Sequence, residues 1–361
     1  MIFIYFVKAY RKLYNPSYPN NDVPLSRRNF MERRKFIGRT LAGGAIFSAA
    51  AGLSSPPAAH AVQSKYLTYT DDLVIEREVS DQPHKGKVLA AIQPHSDDIP
   101  NYAAGTVAKL IKEGYTGYLI RTSNDDHAGP GSVGETCVAN ERDNEEVARV
   151  LGLKKVFNLD YRNHRMDDID EIELRARLIL LFRTLKIDTV ISYDPCCLYE
   201  ENPDHCVTAK AVEAACWMAG GRKDYPEHFR AGLEPHSVSE RYYHARGPLL
   251  VNRIVEITSV IEKKIRSTIA NIAQGPAGDR GAQLRRQLAK ENKKLAILGD
   301  DDDTANYQFV KQFHIEHESE LGKRHGLDYA EAFHYIGPEQ GWHSFTPKVR
   351  EYIQDHAEPL R

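Results

Sequence analysis

From Lys87 to Met218, short apolar runs alternate with longer amphipathic stretches, and this alternation restricts the fold more than any other feature of the chain. Lys87–Ile92, Gly117–Thr122, Val156–Leu159 and Thr189–Tyr193 read as short buried strands. Between the first two, Asn101–Glu113 places Ala104, Val107, Ala108 and Ile111 on one helical face and stops at Gly114. Glu141–Leu151 reads as a helix closed by Gly152, a C-cap signal. Glu171–Leu185 and Val207–Met218 are two further helices, the second stopped by Gly220-Gly221. Strands alternating with helices predict an α/β, Rossmann-like fold with a mainly parallel sheet and helices on both faces. Ligands in such sheets bind beyond the carboxyl ends of the strands.

The balance of 42% hydrophobic and 27% charged residues in a chain of 361 is that of an ordinary globular protein with ample core. A formal net charge of -2 offers nothing to attract a polyanion, so no nucleic-acid partner is expected. No run of eighteen apolar residues appears, so no stable membrane span is expected. The five cysteines, at 137, 196, 197, 206 and 216, form no CxxC zinc pattern. Their odd number argues against a full disulfide framework and leaves room for one bridge.

Three segments are expected. Residues 1–62 read as a twin-arginine-type export signal and a preceding tail. Arg33-Arg34-Lys35 leads into the Ala/Gly-rich stretch Thr40–Leu53 and then to Ala59-His60-Ala61, an A-x-A cleavage pattern. Arg27-Arg28 has the same character, and Met31 stands as an alternative start. The expectation is a periplasmic or otherwise exported protein beginning near Val62, carried by the twin-arginine machinery. Residues 63–221 form the core. Residues 222–361 read as a helical C-terminal extension packing on it, with polar-faced helices over Asn252–Ala273 and Ala282–Leu298. Asp300–Asp303 lacks the spacing and glycine of a calcium loop and reads as a solvated turn.

Two segments carry chemistry: Pro94-His95-Ser96-Asp97-Asp98 after the first strand, and Asn202-Pro203-Asp204-His205 after the strand ending at Tyr193. Each also suits a helix start, with Ser96 or Asn202 as N-cap, Pro203 at N1 and carboxylates in the first turn. Capping does not explain a histidine at corresponding places in two loops on the functional edge. Two imidazoles and a carboxylate with an open fourth position are a ligand set of hydrolytic zinc, and a second carboxylate can take a proton from water there.

These segments resemble the His-Pro-Asp-Asp and His-Pro-Asp-His motifs of the PIG-L/LmbE-like N-acetylglucosaminyl deacetylases. Arg142-Asp-Asn-Glu-Glu146 with Leu151-Gly152, and Leu159-Asp-Tyr-Arg-Asn163, are similar to the segments lying between those motifs. The match runs from about residue 86 to 219. The resemblance implies a zinc-dependent hydrolase that removes an N-acetyl or other N-acyl group from an amino sugar or its conjugate. It implies one Zn2+ per chain on His95, Asp98 and His205, with Asp97 as general base. It also implies substrate contacts from Arg142 and Asn163. His127, beyond the second strand, is a further candidate for the pocket wall, although its bland reading is a solvated loop residue, as for His164. Tyr199 and Glu200 are weaker pocket candidates, and Cys206 is assigned to helix packing.

This chain departs from the family pattern at three positions. Ser96 replaces a proline, which is expected to alter loop stiffness only, and Pro100 replaces a common acidic residue. Asn202 replaces the first His of His-Pro-Asp-His, a group that stabilises the oxyanion, and an Asn amide donates a hydrogen bond but supplies no proton. Asn202 is therefore retained as a catalytic-site residue. Two other readings stay open: an amidase acting on a non-sugar N-acyl substrate, and a weakly active, metal-containing glycan-binding protein.

Overall fold

The computed structural model describes residues 67–247, 249–275, 277–338 and 346–359. The expected export signal, residues 1–62, lies outside the described residues. Among the described residues, eight strands form a single sheet in the order β1-β7-β8-β6-β5-β2-β3-β4. They are β1 Leu67–Glu76, β2 Val88–Gln93, β3 Thr116–Ser123, β4 Lys155–Tyr161, β5 Thr189–Tyr193, β6 Glu240–His244, β7 Leu249–Glu256 and β8 Ala330–Ile336. Only β8 runs against its neighbours, pairing antiparallel with both β6 and β7. The mainly parallel α/β sheet is thus as expected. Among the described residues, no helix is long and apolar enough to cross a membrane.

The period-two alternation of a strand explains the layers. Along β2, Leu89 and Ala91 enter one core with Leu119, Val107 and Val147. Ala90 and Ile92 enter the core on the other face, with Val190, Phe182 and Val212. Both faces are covered, so β2 and β5 are almost continuously apolar and buried. The covering helices are α1 Asp98–Tyr102, α2 Ala104–Lys112, α3 Val133–Leu151, α4 Glu171–Leu185 and α5 Pro203–Met218. The expected Asn101–Glu113 helix is divided at Ala103, whose φ of -143° is not helical. The helix expected from Glu141 starts eight residues earlier, at Val133, behind a capping box between Ser132 and Glu135. It ends as expected on Gly152, at φ 82°, the left-handed conformation that glycine adopts without steric cost.

Residues 222–361 are not merely a helical extension. They carry the helices α6 Pro226–Arg230, α7 Ile261–Ala270, α8 Arg280–Lys290, α9 Asp302–Phe309, α10 Glu316–Arg324 and α11 Pro347–His356, but also β6, β7 and β8. β6 pairs parallel with β5 over five residues, so this region continues the central sheet. The expected helix from Asn252 begins only at Ile261, because Leu249–Glu256 is β7. Leu249 and Val251 are buried on either side of exposed Leu250, as strand alternation requires, and β1 and β8 flank the strand. The contact is polar as well as apolar. Lys264 of α7 is fully buried and lies 3.0 Å from Glu318 and 2.8 Å from Glu331. Glu331 in turn accepts the backbone N–H groups of Gly105 and Thr106 at 3.0 and 2.7 Å, which caps α2 from the far end of the chain.

The strand order turns back at β2. From β2 the chain steps outward through β3 and β4, then returns to place β5 on the other side of β2. A crevice opens between the carboxyl ends of β2 and β5 at such a switch point.

Candidate metal centre

The two sequence motifs meet in that crevice. His95 leaves the end of β2, Asp98 opens α1, and His205 lies in the first turn of α5. Their ligand atoms lie within 4.8 Å of one another, and all three residues are buried. His95 Nδ1 and His205 Nε2 face each other at 3.1 Å. Asp98 oxygens stand 3.5 Å from each of these nitrogens.

The outer nitrogen of each ring meets a carboxylate. Asp204 Oδ2 stands 3.1 Å from His95 Nε2, and Glu200 Oε2 stands 3.0 Å from His205 Nδ1. A carboxylate accepts, so His95 Nε2 carries the hydrogen and its inner nitrogen presents a lone pair, while Glu200 stands as a counter-charge behind His205. The two inner nitrogens, 3.1 Å apart with Asp98 beside them, form a pocket of donor atoms that a single cation could share. The donor set of two imidazoles and one carboxylate, with carboxylates behind both rings, fits a divalent transition ion.

The electrostatics agree. Burial pulls the His95 imidazole down, but hydrogen bonding to Asp204 and Asp98 outweighs it and holds the ring well above its ordinary value. Burial would raise Asp98, yet His205 and His95 hold its carboxyl well below the usual range. Asp98 also accepts the backbone N–H of His95 at 2.8 Å and the Tyr193 hydroxyl at 2.9 Å, which fixes its orientation. Tyr193 further stacks on His205, with ring centroids 4.2 Å apart. Asp97 points into the cavity beside the triad. Burial and the neighbouring Asp98 carboxylate raise it to about 7.

A cavity of about 240 Å³ opens over this cluster. Its wall includes Asp97, Asn163 and Asn202, as the sequence suggested, and His164, which the sequence reading placed in solvent. The His164 ring lies 6.2 Å from that of His95, and its backbone N–H donates to Asp204 at 2.7 Å. Asn163 is fully buried, and both polar atoms of its side chain lack a partner within the protein. Asn202 caps α5 by accepting the Asp204 N–H on Oδ1 at 3.0 Å, which leaves its NH2 as the group available to the cavity.

Two expected contacts are not at the wall. Arg142 lies on α3 with its side chain 72% exposed, because the buried face of that turn belongs to Asp143 and Asn144. His127 is 47% exposed at the side chain and is held by Asp126 at 2.7 Å. Tyr199 is likewise exposed, whereas Glu200 stands behind His205. Cys206 is half-buried on α5, with its sulfur 4.0 Å from the Glu200 carbonyl oxygen. Ser96 does more than change loop stiffness. Its hydroxyl donates to Asn140 and accepts from Asn271 and Gln274, at 2.9, 2.9 and 2.7 Å. The sequence reading missed Asn101, Tyr102, Arg246, Gln274 and His314 as wall residues. The last three come from the region after residue 222, where no motif marks them. Asp204, read from the sequence only as an acid in a first helical turn, stands behind His95, and Glu200, read as a weak pocket candidate, stands behind His205.

The parallel sheet and its switch-point crevice define an α/β fold whose edge carries a cluster that could hold a metal ion. Residues 90–216 match the family described as PIG-L, GlcNAc-PI de-N-acetylase. A diacetylchitobiose deacetylase of Thermococcus kodakarensis is 30% identical over 194 residues, covering 53% of this chain and 71% of that protein. The chain belongs to the PIG-L family. Among solved structures, the N,N'-diacetylchitobiose deacetylase from Pyrococcus horikoshii in complex with an inhibitor is similar at a TM-score of 0.56 and 22% identity. That match covers 73% of this chain and 88% of the other. A conserved protein from Thermus thermophilus matches at 0.51 and 21%, over 72% and 97%. These two share the fold.

Proposed function

We propose that this protein is a zinc-dependent deacetylase that hydrolyses the N-acetyl group of an amino sugar or its conjugate. The observation that carries this reading is the inward-facing His95–His205 pair beside Asp98, with a carboxylate behind each ring and Asp97 alongside. Likeness to a diacetylchitobiose deacetylase supports the substrate class.

His95, Asp98 and His205 would hold the ion, which when bound supplies Lewis acidity and makes water a stronger acid. Asp97 takes the proton from the attacking water and returns it to the departing amine nitrogen. A base raised to about 7 in the metal-free site suits both transfers, and a nearby dication pulls it back toward the ionised form. The NH2 of Asn202 donates toward the oxygen that gains charge as the carbonyl is attacked. Asn163, buried without a partner, offers a donor and an acceptor to substrate polar groups. The test is acetate release from N-acetylglucosamine and N,N'-diacetylchitobiose alongside metal analysis. Metal-loaded protein that releases acetate from neither, but does so from N-acyl amino acids, would replace the sugar by a non-sugar substrate.

Two outcomes follow from the local chemistry. Because His95 is held well above its ordinary value, the metal-free site keeps a proton there that the ion must displace. Apparent affinity is therefore expected to fall as pH drops below the His95 pKa, by roughly tenfold per unit for one displaced proton. Competition against a chelator of known pH dependence measures it; a flat profile rejects the proton competition. Asn202→His restores a charge-assisted donor, and such a donor is worth about 3–4 kcal/mol in full. Asn already recovers part of this, so a rise in kcat of about tenfold is expected at unchanged metal content. The same change removes the α5 cap and is expected to cost about 1 kcal/mol of stability. A lower kcat would mean that the asparagine is fitted to its own substrate.

A further inference from the structure

Asp97 is placed by more than its neighbours in the motif. As the base it is ionised and accepts hydrogen bonds only. Its Oδ2 lies 3.2 Å from Asn101 Nδ2, one helical turn on, and it makes no capping bond to the backbone of α1. Since the Asn101 NH2 faces a carboxylate, its Oδ1 must face the other way. There it meets His314 Nε2 at 3.2 Å. The orientation of Asn101 thus sets the tautomer of His314: Nε2 carries the hydrogen. Asn101 and His314 are 5% and 6% exposed, so both bonds lie at the inner wall of the cavity.

His314 ends a π-helical turn, Val310–His314, between α9 and α10. Such turns displace a side chain from the ordinary helical track and are frequent at functional sites. Lys264 secures the same residue from α7, donating to the Asn101 carbonyl at 2.9 Å. Asn271 and Gln274, just beyond α7, hold Ser96 on the other side of Asp97. Contacts from the region after residue 222 therefore flank the base on both sides.

We infer that His314 is a positioning residue for the proposed base, holding the Asp97 carboxylate in place through Asn101, so that the region beyond residue 222 completes the catalytic site. The inference rests on the reading of Asp97 as the base. A misplacement near 1 Å at a reacting group can cost about 10²-fold in rate, which sets the scale expected here.

The test is a double-mutant cycle in zinc-loaded full-length protein, with N,N'-diacetylchitobiose as substrate. His314→Ala is expected to lower kcat by about 10–10²-fold with KM and bound zinc unchanged. His314→Gln, which keeps a donor, is expected to regain most of it. In the Asp97→Asn background His314→Ala is expected to have no further effect. Equal losses in both backgrounds overturn the inference while leaving the base assignment standing. Normal turnover in Asp97→Asn alone overturns the base assignment and the inference together. A second measurement needs no turnover: ¹⁵N-histidine spectra of the zinc-loaded protein, with the His314 signal identified by its loss in His314→Gln. The Nε2–H tautomer is expected, and the Nδ1–H tautomer at His314 overturns the inference.

Discussion

Replacing Asp97 by Asn is expected to lower kcat by about 10²–10⁴-fold, the usual contribution of a general base, while the protein keeps its metal. The substitution is close to isosteric, and Asp97 is outside the His95–Asp98–His205 triad, so the ligand set stays intact. What is lost is the group that exchanges a proton with the water and then with the amine. The sign of the pH dependence follows. Asp97 acts only when ionised, so activity is present above its pKa and declines as pH falls through it. Its carboxyl is raised to about 7 by burial and by Asp98 in the metal-free site, and a bound dication lowers it from there. The acid limb of the kcat profile is expected to lie below neutrality and to vanish in Asp97→Asn. Retained turnover with an unchanged acid limb would point to His164 on the cavity wall as the group that takes the proton.

Removing either imidazole of the centre is expected to abolish most metal binding. His95→Ala or His205→Ala takes the donor set from three to two, and leaves Asp204 or Glu200 facing a gap. The carboxylates behind the rings provide the graded comparison. Asp204→Asn or Glu200→Gln is expected to weaken the metal by about 10–100-fold, because orientation and basicity of the ring are lost but the ligand is not. Asp204→Asn also weakens two backbone hydrogen bonds, to His164 and Met166, so it is expected to lower stability as well. Metal analysis after dialysis, with circular dichroism to confirm folding, separates these effects. Full metal retention in both alanine variants would reject the ligand set.

The parallel sheet, the covering helices of residues 87–218 and the meeting of the two motifs were legible in the chain itself. The elements and the residues within each motif are set locally, and the parallel order of the strands carries the motifs together. Strand and helix periods are set by side chains a few residues apart, and His95 and Asp98 lie on one turn. Parallel topology then places every post-strand loop on one edge, so the loop after Tyr193 had to face the loop after Ile92. Tertiary structure decided what depends on partners distant in the chain. Leu249–Glu256 becomes a strand only because β1 and β8 take up its backbone groups; read alone, it runs into a helical pattern. Arg142 follows the motif order, yet the helical turn places Asp143 inward and its own side chain in solvent. His164 shows the reverse: a positive φ of 57° turns the loop so that its ring lines the cavity. Arg246, Gln274 and His314 carry no local signature at all. They reach the cavity because β6 extends the sheet beside β5 and because Lys264, Glu318 and Glu331 fix the later helices against α1 and α2. Short-range spacing therefore determined which residues can gather an ion, and long-range packing decided which others surround it.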